Sequence, residues 1–121
     1  MKTKFVTIVL FLLSLVVLEM QAEQAAPPTD LFSTRYQTTK VDALEIFNGE
    51  GGPTNGPVIL LLHGFPASSF MYRDLIPRLA GRFRVIAPDY PGFGYSSAPT
   101  TNEFEYTFDH LSEVMDRFTE K

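Results

Sequence analysis

The residues with the best claim to chemistry are His63-Gly64-Phe65-Pro66, which follow at once on an apolar run, Val58-Ile-Leu-Leu-Leu62. An amide presented where a strand ends and a helix begins can donate to an oxygen that is gathering negative charge. Phe65 carries such an N–H, and Pro66 does not. Gly64 is expected to permit a turn so tight that a Cβ would clash. The same four residues also suit a strand-to-helix turn that holds no ligand, and geometry read from sequence leaves both readings open. His63 is a general base only if an oriented partner stands beside it, and local spacing fixes no serine, cysteine or carboxylate there. It is read instead as a brace that hydrogen-bonds the neighbouring loop backbone.

Other candidates carry less. His110 lies one turn into an amphipathic pattern and is read as a surface or packing residue. Asp89 ends an apolar run and precedes Pro91-Gly92, where an Asp side chain bonds backbone two residues on, so it is a turn-former and not an acid. Gly92-Phe93-Gly94-Tyr95-Ser96-Ser97 is not a dinucleotide fingerprint, because Ser97 stands where a third small residue belongs and no helix opens inside the run. With no cysteine and only two histidines among 121 residues, neither a thiolate metal site nor a His-based cluster is expected, and nothing calls for an organic cofactor. The net charge of -4 comes without any Lys/Arg run, which excludes a nucleic-acid surface.

These residues need a frame. Tyr36 to Val41 and Leu44 to Asn48, joined by Asp42-Ala43, predict an antiparallel hairpin; a type I′ turn would place Ala43 at positive φ, where glycine fits better. Gly49 to Pro57 reads as a loop. Val58 to Leu62 lacks alternation, as a strand covered on both faces does. Phe70, Met71, Leu75, Ile76 and Leu79 recur at helical spacing, with Ser68 or Ser69 as N-cap, Pro77 in the first turn and Gly81 at C′. The regular helix is expected over Arg73 to Ala80. Arg84 to Ala87 is the next strand. Phe108, Leu111, Val114, Met115 and Phe118 form a second helical stripe, capped by Thr107, with Glu113 facing Arg117. The sum is an α/β layer with a mainly parallel sheet, in which an antiparallel hairpin precedes a parallel βαβ unit.

Residues 1–22 read as a secretory signal: Lys2 and Lys4, an apolar block from Phe5 to Leu18, then small residues at Ala22, Ala25 and Ala26. The block is shorter than the roughly 20 apolar residues of a membrane-spanning helix. A secreted or periplasmic protein is expected, with an uncleaved membrane anchor as the alternative; the membrane enters only through this segment. Residues 23–33 form a proline-bearing linker, and 34–121 the folded part.

Taken in order, Val58–Pro66, Tyr72–Ala80 and Arg84-Val-Ile-Ala-Pro-Asp-Tyr-Pro-Gly-Phe-Gly-Tyr-Ser96 resemble the N-terminal portion of the α/β-hydrolase superfamily. The likeness is greatest to the branch of epoxide hydrolases and haloalkane dehalogenases, and Tyr106-Thr-Phe-Asp-His-Leu111 extends it. The resemblance implies that Phe65 gives one oxyanion-hole N–H, that Phe65–Pro66 is cis, and that His63, Gly64 and Pro66 support that loop. Sequence alone favours trans, since about 5–6% of X-Pro bonds in folded proteins are cis. The resemblance further implies a nucleophile, an acid and a histidine in that chain order. No Gly-x-Ser-x-Gly or Gly-x-Asp elbow occurs in the sequence, and both histidines lie too early for the last role. An asparagine, common at position 65 in the dehalogenases, is replaced by phenylalanine. The expectation is a fragment of an exported hydrolase acting on a small-molecule ester, epoxide or carbon–halogen bond through a covalent intermediate, inactive by itself. A non-catalytic remnant that binds a partner through an open sheet edge is the alternative.

Overall fold

The structure, a computed structural model, describes residues 33–121. The expected signal segment, and all of the expected linker except Ser33, lie outside the described residues. Two strands open the fold, β1 (Arg35–Val41) and β2 (Leu44–Gly51), paired antiparallel from Arg35 opposite Glu50 to Val41 opposite Leu44. Their two-residue turn is of the other primed kind. Asp42 takes the positive φ of 52°, and Ala43 does not, so the sign pattern is that of a type II′ turn, which asks nothing of the second residue.

β2 runs on through Gly49-Glu50-Gly51, residues expected to lie in a loop. The reason is packing from the far side of the sheet. A Cβ on Gly51 would stand 2.7 Å from Ile76, so the missing side chains let the following helix sit directly on the strand. β3 (Val58–Leu60) and β4 (Arg84–Pro88) complete a sheet of order β1-β2-β4-β3. β4 is antiparallel to β2 and parallel to β3. The antiparallel hairpin and the parallel βαβ unit are as expected, but among the described residues only one of the three ladders is parallel, so the sheet is mixed and not mainly parallel. Nothing in the hydrophobic pattern said that β4 would insert between β2 and β3.

The connection from β3 to β4 is less helical than its periodicity suggests. A 3-10 turn (Ser69–Tyr72) is capped by Ser68, and a short α1 (Ile76–Leu79) carries Pro77 in its first turn. Proline supplies no N–H and cannot sit inside a longer helix, so the regular part shrinks to one turn. α2 (Phe108–Thr119) starts as expected, with the Thr107 hydroxyl accepting the His110 N–H at 3.2 Å.

Each face of the sheet has its own core. On one side Val41 and Ile46 meet Phe104, Val114, Met115 and Phe118; on the other, Val85 and Ala87 meet Ile76. β4 is the strand buried on both faces. β3 is not: Leu61 N–H bonds Ile86 O and Arg84 N–H bonds Pro57 O, so by alternation Val58 and Leu60 turn their backbone groups toward an edge that no described strand occupies. Val58 is 60% exposed, against the expectation of a strand covered on both faces.

Candidate functional site

β3 and β4 end side by side, and the two loops that leave them make the site. The first, residues 63–69, begins with a buried His63 whose ring is spent on backbone. Nδ1 lies 2.8 Å from Gly64 O and must donate to it, while Nε2 accepts the Tyr90 N–H at 3.1 Å. That pair of partners assigns the Nδ1–H tautomer and leaves no lone pair facing the cleft. Tyr90 and Phe93 meet the imidazole edge-on at 4.9 and 5.4 Å. The brace therefore reaches across to the loop after β4, a connection that local spacing could not reveal.

Gly64 departs from expectation. A Cβ there would meet nothing within 4 Å, and its φ is not in the left-handed region, so no clash among the described residues explains the glycine. Phe65–Pro66 is cis. No acceptor among the described residues takes the Phe65 N–H; the residue is 86% exposed, and its ring leans edge-on against Phe93 at 6.1 Å. Phe65 lines an open cleft of about 330 Å³ with Leu62, His63, Phe93, Phe108 and Met115. No charged side chain among the described residues lines it. Burial pushes the Tyr90 phenol at its margin up from its ordinary pKa, helped by the neighbouring Tyr72.

The second loop, residues 89–97, is bound to β2 beyond the end of β4. Glu45 N–H donates to Ser97 Oγ and Phe47 N–H to Ser96 Oγ, both at 2.9 Å, and Ser97 N–H returns to Glu45 O. Asp89 lies at its root and is wholly buried. Its carboxylate accepts Ser69 N–H at 2.6 Å and Tyr95 N–H at 2.9 Å, reaching twenty residues back and six ahead instead of the two expected of a local turn. Glycine at 94 is obligatory here: its φ is 51°, and a Cβ would fall on the Asp89 carboxylate. His110, by contrast, stacks on Phe104 at 4.2 Å, bonds Glu105 O and takes no part in the cleft. The aromatic and helix-borne walls, Phe93, Phe108 and Met115, were missed as site residues. The signal for the last two was the Phe108–Leu111–Met115 stripe, which is too wide for the sheet alone.

Comparison with known proteins gives this geometry a context. The alpha/beta hydrolase fold family matches residues 57–121. An uncharacterized hydrolase of Saccharomyces cerevisiae is 50% identical over 74 residues, 61% of this chain and 25% of its own length. Haloalkane dehalogenase 2 of Mycobacterium bovis is 49% identical over 65 residues, 54% of this chain and 22% of its own. The crystal structure of an epoxide hydrolase from Vigna radiata superposes with a TM-score of 0.66 at 29% identity, covering 78% of this chain and 30% of that one. The chain thus spans about a quarter of the length of the relatives it matches.

Proposed function

Because this chain belongs to the alpha/beta hydrolase fold family, we propose that it supplies the oxyanion side of a hydrolytic site for an ester, epoxide or carbon–halogen bond. One observation carries the reading: the Phe65 N–H, in a loop tied at both ends, is given to no acceptor among the described residues, and its residue lines the cleft. In ester hydrolysis an oxygen nucleophile adds to the carbonyl carbon, and the carbonyl oxygen takes up the electron pair. The Phe65 amide would bond that oxygen as its charge develops. The alkoxide then leaves with a proton, and water cleaves the covalent ester to regenerate the nucleophile. A single oxyanion donor accounts for about 10²–10³ in rate. His63 would brace the loop, with Gly64 and Pro66 shaping it, and Gly64 leaves open space beside the amide.

No elbow pattern occurs among these 121 residues, and in this reading they supply neither the nucleophile nor the acid and base that act with it. The chain alone is therefore inactive in this proposal, and residues 1–22 direct the parent protein to export. Purified chain should turn over a p-nitrophenyl ester or styrene oxide no faster than buffer. Turnover that a single substitution in the chain abolishes would overturn the inactive-fragment reading. An elbow and a late histidine encoded beyond Lys121 would support the parent activity, and their absence there would count against it.

A second reading draws on the free edge of β3. Unpaired N–H and C=O groups beside the exposed Val58 offer a partner strand a template. Concentration-dependent association, abolished by Leu60→Pro with the fold retained, would favour a binding role for the chain.

A further inference from the structure

We propose that Asp89 is the positioning residue of the loop that carries the Phe65 amide: its carboxylate, bonded only to backbone N–H groups, holds residues 63–69 in the shape that keeps this amide unpaired. The inference rests on the reading of that amide as an anion donor. Both ends of the loop hang from the segment that follows β4. At the front, His63 accepts the Tyr90 N–H and donates to Gly64 O. At the back, Ser69 N–H donates to Asp89 Oδ1 at 2.6 Å. Asp89 is itself immobilised, because its N–H bonds Phe47 O at 2.8 Å and its carbonyl accepts the Ser96 hydroxyl at 2.7 Å. The carboxylate thus measures a fixed distance from the sheet to the start of the 3-10 turn.

The chemistry of the position is narrow. Two amides on two oxygens require a group that only accepts, and a fully buried one is costly to leave unbonded. Asparagine has the right shape but turns an NH₂ toward one of the two N–H groups. Neither apolar cluster includes Asp89, and the 3-10 turn has its own cap in Ser68, whose Oγ accepts the Phe70 N–H at 3.4 Å. Loss of the carboxylate should therefore loosen the loop before it loosens the core.

The test is ¹⁵N relaxation and amide exchange on the full chain without substrate, so its result is independent of the turnover assay. In Asp89→Asn, order parameters at Gly64, Phe65 and Ser69 should fall from about 0.85 to below about 0.6 while those at Val85 and Val114 stay rigid. Ser69 should exchange at least about tenfold faster. Asp89→Glu, which keeps both acceptors, should restore part of the order. Ser69→Pro removes the loop's own donor to Asp89, and leaves that of Tyr95, at a position that tolerates proline; it keeps the question decidable if Asp89→Asn does not fold, because it should loosen Gly64 and Phe65 in the same way. Wild-type order in the loop of either folded variant, with only the urea midpoint lowered, would make Asp89 a stability residue and overturn the proposal. Uniform loosening of loop and core alike would overturn it as well.

Discussion

Two carboxylates are buried among the described residues, and they are bonded in opposite ways. Glu50, on β2 near the entry of the hairpin, faces side chains: Arg84 Nε at 2.8 Å, Gln37 Nε2 at 3.0 Å and Arg35 at 3.7 Å. Gln37 also bonds Asn48, which reaches Thr39, so the network crosses β1, β2 and β4. The carboxylate of Asp89, at the opposite end of β4, bonds nothing but backbone. Side chains can rotate, lengthen or be exchanged, so the Glu50 network ties strands together without fixing any main-chain atom closely. A carboxylate that accepts backbone amides dictates where the main chain runs. The half of the molecule whose proposed chemistry depends on a backbone N–H is the half organised by backbone bonds.

The largest effect should come from Gly94→Ala. It places a Cβ on the Asp89 carboxylate at a residue whose φ of 51° already disfavours a side chain. A loss of about 3 kcal/mol or more is expected, enough to unfold a marginal chain, and urea denaturation followed by circular dichroism reads it. A midpoint unchanged from wild type would break the contrast, because the Asp89 clasp would then tolerate displacement. Glu50→Gln keeps the shape and removes the charge that faces Arg84. Loss of one partner of a buried pair costs about 3–5 kcal/mol, but Arg84 is about a third exposed and water recovers part of that. About 1–2 kcal/mol is expected, with relaxation of the 63–69 amides unchanged. Loosening of that loop by Glu50→Gln would show that the two ends of the sheet are not independent.

The legible part of the fold was what local chemistry dictates. The hairpin, the Thr107 cap and the apolar stripe of α2 follow from turn residues, a hydroxyl before a helix and a 3.6-residue period. His63-Gly64-Phe65-Pro66 stood out because an apolar run broke there. The illegible part depended on distant partners. β2 extends through three residues that look like loop because Ile76 covers two glycines from the other side. β4 inserts between β2 and β3 by a pairing that no period encodes. Asp89 looked like a turn-former because its true partners, Ser69 and Tyr95, are chosen by the sheet and not by spacing.

A third carboxylate sharpens the distinction at the smallest scale. Glu103 accepts both the Thr100 hydroxyl, at 2.9 Å, and the Thr100 N–H, at 3.0 Å, so it repeats the backbone bonding of Asp89 at an exposed site. The side-chain bond from Thr100, and then the backbone bond, hold its pKa below the ordinary glutamate value. The folded value lies below the unfolded one, so the unfolded chain binds the proton first as acid is added. The contribution to stability is therefore present above the unfolded pKa and is lost as pH falls through the lower folded value. Carboxyl ¹³C titration should place the Glu103 midpoint below that of unpaired glutamates, and Thr100→Val should return the larger share of the shift. The backbone bond survives in that variant, so the midpoint should stay short of the ordinary value. A full return would mean that the backbone amide contributes nothing at the surface, and that the order imposed by Asp89 owes more to its burial than to the kind of group it bonds.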